Sequence, residues 1–229
     1  MALATWWRTD SLPSLPSVPG FHAAIAEDDA MLARLNRIAL AEVHARRRDG
    51  HRPYVAFLHG VPAAYGWAAA RTASIGELNL TIELPYTDRY LWDFATLPAY
   101  QGRGLYPRLL QAMLRQESPE AERFWVIYAP ENRPSGAGIH KAGFVAAAEL
   151  SFDTDDQVRL LALGWHERAR AAAALLGVPL AADRLAPCWC CQSKPANNRL
   201  GQACWPPASD WPSACTCAVE RRQVARPAA

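Results

Sequence analysis

The sequence predicts an α/β (α+β) fold in which helices flank a mixed central sheet. Several runs rich in aromatic and β-branched residues have the length and composition of buried strands. A glycine-rich turn joins one of these runs to a segment whose apolar residues recur at helical spacing. The order along the chain is strands, glycine turn, helix, strand, short helix and strand pair, which is typical of a mixed sheet covered by helices.

The N-terminal part predicts an arm followed by helices. Residues 9–20 contain the run Leu-Pro-Ser-Leu-Pro-Ser-Val-Pro-Gly, which cannot continue a helix. We therefore expect residues 1–20 to form a flexible N-terminal arm. Apolar residues at helical spacing among charges predict one or two amphipathic helices from His22 to about Arg48.

Strands are expected between these helices and the glycine-rich turn. Residues 53–58 and 61–70 have strand composition and are joined by a His-Gly pair, which predicts a hairpin. Residues 77–84 alternate between apolar and polar side chains, as a third strand would. Residues 90–97 are rich in aromatic and β-branched residues and predict a fourth.

The glycine-rich turn at residues 101–106 is the most informative segment. It lies between the strand-like run 90–97 and a helix predicted from Pro107 to about Gln116. Its two glycines allow a sharp backbone turn. The unpaired N–H groups at the helix start then point at an anionic ligand, and the helix dipole adds its own attraction. The segment therefore predicts a cradle for a pyrophosphate group.

A second segment follows at a short distance. Residues 123–129 form another apolar strand-like run, which is followed by Asn132, a short helix and the Lys-Ala-Gly-Phe turn at residues 141–144. Residues 144–152 and 157–163 then predict a closing antiparallel hairpin, because the four polar residues between them are typical of a turn.

Together the two segments resemble the signatures of the GNAT superfamily of N-acetyltransferases. Gln101 and Gly104 match the family's Q/R-x-x-G-x-G/A signature, and Tyr106 replaces the small residue at its sixth position. The strand, Asn132, the short helix and the K-x-G-F turn resemble the second signature. The resemblance covers about residues 21–163, and it implies a mostly antiparallel central sheet with acetyl-CoA bound at the glycine-rich turn.

The resemblance also implies a set of cofactor contacts. In this family two central strands splay apart to hold the pantetheine of acetyl-CoA, and backbone amides beside it would polarise the acetyl carbonyl. The implied contacts are Ala95, Thr96, Leu97, Gln101, Gly102, Arg103, Gly104, Leu105, Tyr106, Asn132 and Ser135.

The implied reaction is transfer of an acetyl group to a primary amine of a small molecule or peptide, by direct attack on the thioester. Asp93 is the first candidate for the base, because a carboxylate stands out within an apolar strand. The alternative is that Asp93 faces solvent or pairs with an arginine such as Arg71. Glu77 is the second candidate.

The proton donor for the departing thiolate is a separate question. The family often uses a tyrosine at the position that Ile139 occupies here, so this sequence departs from the pattern. Tyr128 is the first candidate to replace it, and Tyr106 and His140 are others. For each of them a packing role is the alternative.

The C-terminal part differs in character. Residues 164–186 predict a helical tether that packs on the domain or on a second subunit. In the second case the protein would be a homodimer. Residues 187–229 form a Cys/Trp/Pro-rich tail that holds all six cysteines. A tetrahedral zinc site and a disordered extension are both consistent with this tail. The candidate zinc ligands are Cys188, Cys191, Cys215 and Cys217.

The composition of the chain argues against two classes of binding partner, nucleic acids and membranes. The formal net charge is only +2, which argues against nucleic-acid binding. The longest apolar runs are too short to span a membrane, and the N-terminus lacks the features of a secretory signal, so we expect a cytoplasmic protein without a membrane partner. An enzyme using acetyl-CoA and an amine is favoured. The alternative is an acyl-CoA-binding regulatory or scaffold module without turnover.

Overall fold

The computed structural model describes residues 1–76, 80–152 and 157–181, which form two compact units. The larger unit runs from Leu3 to Ala146. The smaller unit contains Met1, Ala2 and the described residues from Ala147 onward.

The described residues of the larger unit hold nearly all of β1 and the next seven strands, together with four α-helices. The strands are β1 (Ala2–Trp7), β2 (Phe21–Ile25), β3 (Arg52–Leu58), β4 (Val61–Ala69), β5 (Thr72–Ile75), β6 (Leu80–Glu83), β7 (Asp88–Thr96) and β8 (Arg123–Tyr128). The helices are α1 (Asp29–Asn36), α2 (Leu40–Arg48), α3 (Leu105–Glu117) and α4 (Arg133–Ala142).

Six of these strands form one sheet in the order β1-β8-β7-β4-β3-β2. The pairs β2/β3, β3/β4 and β4/β7 are antiparallel, whereas β7/β8 is parallel. This confirms the expected mixed, mostly antiparallel sheet flanked by helices. The predicted apolar face of α3 is also confirmed, since all five of its residues are at most 1% exposed: Leu105, Leu109, Leu110, Met113 and Leu114.

The structure corrects the predictions for the N-terminus. Residues 2–7 are not a flexible arm but form β1, where the Thr5 hydroxyl donates to the Phe124 carbonyl of β8 at 2.8 Å. Residues 21–25 are not helical but form the edge strand β2, which pairs along its length with β3. Tertiary pairing overrides local pattern in both segments. The helices begin only after Asp28, whose side chain caps α1.

The third predicted strand, residues 77–84, is found in part, because Leu80–Glu83 form β6. Two short strands, β5 and β6, pair with each other in a separate antiparallel ribbon. Their buried side chains alternate with exposed ones, as Ala73 and Ile75 show, so the alternation seen in the sequence belongs to a ribbon with one covered face.

The smaller unit contains the predicted closing hairpin. Strands β9 (Val145–Phe152) and β10 (Val158–Ala162) pair antiparallel, which confirms that prediction. Helix α5 (His166–Leu176) follows, and the chain then returns to form a parallel bridge between Leu160 and Leu180.

Candidate functional site

The pairing of two central strands ends partway along their length. Strands β7 and β8 pair in parallel at three positions, the last being Tyr90 with Trp125. Beyond this pair, no further β7/β8 pairing is found in the described residues. A side-chain hydrogen bond also joins the two strands where their pairing begins: the buried carboxylate of Asp88 on β7 accepts from Trp125 Nε1 on β8 at 2.7 Å. Burial raises the pKa of Asp88, and that hydrogen bond opposes the shift. We call the space beyond Tyr90 and Trp125 the interstrand cleft.

A β-bulge shapes the β7 side of this cleft. Tyr65 of β4 lies opposite Ala95, but Trp67 lies opposite Trp92, so β7 holds one more residue than β4 between the two pairs. Asp93 lies in the bulge with a φ of 50°, a left-handed conformation that is uncommon for a residue other than glycine.

Gly66 makes room for this bulge. A Cβ atom at position 66 would lie 2.1 Å from Cε1 of Phe94, so the aromatic ring rests directly on the glycine backbone. The ring of Phe94 in turn packs 5.2 Å from that of Tyr106, at the start of α3. The bulge and the glycine-rich turn are therefore connected by aromatic packing.

Asp93 is paired with an arginine, but not with Arg71. Its Oδ2 lies 2.5 Å from Nη1 of Arg46 on α2. The guanidinium of Arg46 also lies over the rings of Trp67 and Trp92, with distances of 5.1 and 4.5 Å from Cζ to the ring centroids. Arg71 donates to backbone carbonyls at the end of α2 instead. Asp93 thus lies on the α2 side of the sheet with its charge compensated.

The backbone at the end of β7 presents one amide to the cleft. The Leu97 N–H donates to the Ala63 carbonyl of β4 at 2.9 Å, so it is not available to polarise a ligand carbonyl. Alternation in an antiparallel pair turns the N–H and C=O of Thr96 the other way, toward the cleft. The Thr96 carbonyl accepts from Gln101 Nε2 at 3.2 Å, which agrees with this direction. Of the three backbone amides predicted to contact the cofactor, at Ala95, Thr96 and Leu97, the Thr96 amide points most directly toward the interstrand cleft.

The glycine-rich turn has the conformation that its sequence predicts. Gly102 and Gly104 have φ values of 75° and 67°, and Gly104 is the N-cap of α3. No side chain caps the helix, so the amides of Leu105 and Tyr106 point out of the helix start. The helix begins two residues before the predicted Pro107. These amides and the helix dipole make this helix start suitable for an anion.

Tyr106, which stands where the signature has a small residue, turns away from the backbone amides. Its ring packs on α4, where a Cβ atom at Gly138 would lie 2.4 Å from Tyr106 Cδ1. Its hydroxyl hydrogen-bonds to Ser135, and burial raises its pKa. Asn132 caps α4 by accepting from the Ser135 amide at 3.1 Å. The bulky side chain is therefore accommodated by a glycine on the neighbouring helix.

Tyr128 ends β8 beside α4. Its hydroxyl lies 3.5 Å from Nε2 of His140, and its ring packs over Gly136, where a Cβ atom would lie 3.0 Å away. Burial lowers the pKa of His140, while a hydrogen bond to the Phe144 backbone acts in the opposite direction. Ile139 is completely buried and contributes no polar group.

Some predicted site residues lie outside the described residues. These are Glu77 and the cysteines Cys188, Cys191, Cys215 and Cys217. Within residues 1–76, 80–152 and 157–181, no three or more His, Cys, Asp or Glu side chains are grouped to hold a metal ion. The helices of this part of the chain do not combine the length and apolar character needed to cross a membrane.

Two site residues were not found by sequence reasoning. Arg46 lies in a run of three arginines at the end of α2, and nothing in that run distinguishes the one that meets Asp93. Gly66 carried a usable signal, because a glycine inside a strand often marks a bulge or a close approach.

The chain belongs to the acetyltransferase (GNAT) family, whose family model matches residues 15–144. Membership of this family supports an acetyltransferase that depends on acetyl-CoA. No curated protein sequence matches the chain.

Solved structures of acetyltransferases share a general likeness with it. One is the aminoglycoside acetyltransferase AAC(6')-Ib in complex with paromomycin and acetyl-CoA (19% identity, TM-score 0.43, covering 58% of this chain and 85% of that chain). A second is yncA from Salmonella typhimurium with acetyl-CoA (20% identity, TM-score 0.43, 58% and 84% covered). A third is a GNAT-family acetyltransferase from Streptococcus pneumoniae (18% identity, TM-score 0.43, 57% and 88% covered).

Proposed function

We propose that the protein transfers an acetyl group from acetyl-CoA to a primary amine of a small molecule or peptide by direct attack on the thioester. One observation supports the proposal: in the described residues, the helix start at Leu105 and Tyr106 has no side-chain cap and follows the strand β7, whose pairing with β8 ends at Tyr90. The first feature suits a pyrophosphate, and the second suits an extended thiol arm.

The residues present fit acetyl-CoA, which would supply an activated thioester. The Leu105 and Tyr106 amides would bind the pyrophosphate, and Gly102 and Gly104 would allow its close approach. The Thr96 amide would hold the chain of the cofactor or the acetyl oxygen from the β7 side of the cleft. Rate would come mainly from holding the amine and the thioester together.

Two residues are proposed to move protons. Asp93 would orient the amine and take its proton through a water molecule, with Arg46 fixing the carboxylate. As the C–S bond breaks, the sulfur keeps the electron pair, and Tyr128 is the proposed proton donor to it. Glu77 remains the alternative base, and Ser135 and Asn132 position α4 beside the cleft.

The experiment is a thiol-release assay with acetyl-CoA and a panel of primary amines. For an amine that is acetylated, Asp93→Asn should lower kcat by about 100-fold, because a positioned base contributes on that order. Asp49→Asn, at an exposed aspartate at the end of α2, is the matched control and should leave kcat unchanged. Tyr128→Phe should lower kcat more than it raises KM for acetyl-CoA. An unaltered kcat in Asp93→Asn would remove Asp93 from the mechanism.

A binding module without turnover is the second candidate. Two observations favour it: Arg46 already neutralises Asp93, and Ile139 replaces the tyrosine that the family often uses. Binding of acetyl-CoA with no thiol release across the whole amine panel would support the module and contradict the enzyme.

The wider setting is also part of the proposal. We place the protein in the cytoplasm, as a monomer or homodimer, acting without nucleic acid or membrane. Zinc binding by the tail cysteines stays a prediction, which metal analysis of the full chain would test.

A further inference from the structure

The segment between β1 and β2 has a three-residue repeat to which the proposed mechanism gives no role. Residues 12–20 are Leu-Pro-Ser, Leu-Pro-Ser and Val-Pro-Gly. Leu12, Leu15 and Val18 are half-buried, whereas the residues between them are exposed. A period of three is that of a polyproline II helix, whose backbone makes no hydrogen bonds of its own. We call residues 11–20 the strap.

Helix α3 supplies the donors that this backbone lacks. Gln111 Nε2 donates to the Pro13 carbonyl at 2.8 Å, and the Arg108 guanidinium donates to the Pro16 carbonyl. The two donors are three residues apart, and so are the two acceptors. Val18 packs in the cluster that contains Leu105, the first residue of α3. The strap is therefore fastened to the helix whose start forms the glycine-rich turn.

Arg108 also contacts that turn directly. Its Nη1 donates to the Gly104 carbonyl at 2.5 Å and lies 2.6 Å from the point where a Cβ atom on Gly104 would be. Both hydrogen-bond partners of Arg108 in the described part of the chain are carbonyls, so no carboxylate there pairs with its charge. The sequence has no Asp or Glu in residues 11–20 or 97–116. The guanidinium beside the turn thus makes its hydrogen bonds in the described residues to neutral groups.

We propose that Arg108, held by the strap, positions the phosphate groups of acetyl-CoA, and that the strap is part of the cofactor site. This rests on the proposed function, because it assumes that the glycine-rich turn binds the cofactor. By donating to the Gly104 carbonyl, Arg108 stabilises the left-handed conformation of Gly104. Its guanidinium also places a permanent positive charge where the phosphate oxygens would approach. The strap keeps the guanidinium from turning into solvent.

The test is calorimetric titration of the full chain with CoA at two salt concentrations. At about 50 mM NaCl, Arg108→Gln should weaken binding about tenfold, the scale of one charge-assisted hydrogen bond at a partly exposed site. At about 500 mM NaCl the difference from wild type should shrink to about threefold, because salt screens the charge. Arg108→Lys, which keeps the charge but not the two guanidinium donors, should weaken binding by less than Arg108→Gln does. Val18→Ser, which loosens the strap without changing charge, should weaken binding about threefold at both salt concentrations.

The control is Arg34→Gln, which removes the same charge from an exposed position on α1 and should bind CoA as wild type does. Thermal unfolding of each variant checks that it is folded. Wild-type affinity in Arg108→Gln would overturn the proposal. A loss of affinity in Arg108→Gln that is the same at both salt concentrations would also overturn it, and so would a loss in Arg108→Lys as large as that in Arg108→Gln. Either result indicates a purely structural role for Arg108. Wild-type affinity in Val18→Ser would overturn the part played by the strap. If wild type itself does not bind CoA, the proposed function fails instead.

Discussion

Replacing Gly66 by alanine tests whether the bulge at Asp93 depends on one missing side chain. The new Cβ would lie 2.1 and 2.2 Å from two ring atoms of Phe94, where ordinary contacts are 3.4 to 4 Å. The ring would have to move by roughly 1.5 Å against Tyr106, which it contacts. Overpacking of this kind costs about 2 to 3 kcal/mol of unfolding free energy. For a chain of this size that lowers Tm by about 5 to 10 °C.

The assay is urea unfolding followed by the fluorescence of the nine tryptophans, with CoA titration of the folded variant. Gly76→Ala is the matched control, because a Cβ there meets no atom of the described residues within 4 Å, and it should change stability by less than about 0.5 kcal/mol. Adding Phe94→Leu to Gly66→Ala should restore part of the loss, since the smaller side chain can leave the site. Equal stability of Gly66→Ala and Gly76→Ala, with unchanged CoA affinity, would refute this account of the bulge.

Two further predictions concern stability. Glu117→Gln should cost about 3 kcal/mol in urea unfolding, because it removes the buried carboxylate that lies 2.8 Å from Nε of the buried Arg89. The guanidinium then keeps its 3.1 Å contact with Glu120, whose carboxylate is half-exposed and compensates the buried charge less well. Glu122→Gln, at an exposed ion pair, should cost less than about 1 kcal/mol, and equal losses in the two variants would contradict the argument. Burial lowers the pKa of both His51 and His140, so the unfolded chain binds protons that the folded chain does not. The free energy of unfolding should be highest above about pH 6.5 and should fall as the pH drops below that value. In the double variant His51→Gln and His140→Gln, it should fall less between about pH 7 and pH 5.5. The same pH dependence in wild type and the double variant would contradict this prediction.

The parts of the site that the sequence predicts are those formed by neighbouring residues. The turn at Gly102 and Gly104, the helix that follows it and the short helix after Asn132 each depend on contacts within a few positions, so residue type alone specifies them. The sequence shows that Tyr106 replaces the small residue of the signature, but it does not show where the ring packs. That packing depends on Gly138, which lies on another helix.

The parts that it does not predict depend on distant partners. The bulge at Asp93 requires Gly66 on the neighbouring strand, and Arg46 reaches Asp93 from a helix 47 residues earlier in the chain. Residues 21–25 have no strong strand pattern and become a strand because β3 offers an edge. Long-range pairing decides these features, and spacing along one segment cannot reveal it.

The proposed function depends on acetyl-CoA binding at the glycine-rich turn, where α3 begins. The most direct measurement is calorimetric titration of acetyl-CoA into wild type, Gly104→Glu and Gly177→Glu. The two glycines share a left-handed φ of 67° and 64°, so the substitutions impose similar backbone strain, but only the first adds a negative side chain at the helix start. We expect micromolar binding, on the scale of about −8 kcal/mol, for wild type and Gly177→Glu, and loss of binding in Gly104→Glu. Equal binding by folded Gly104→Glu would contradict it.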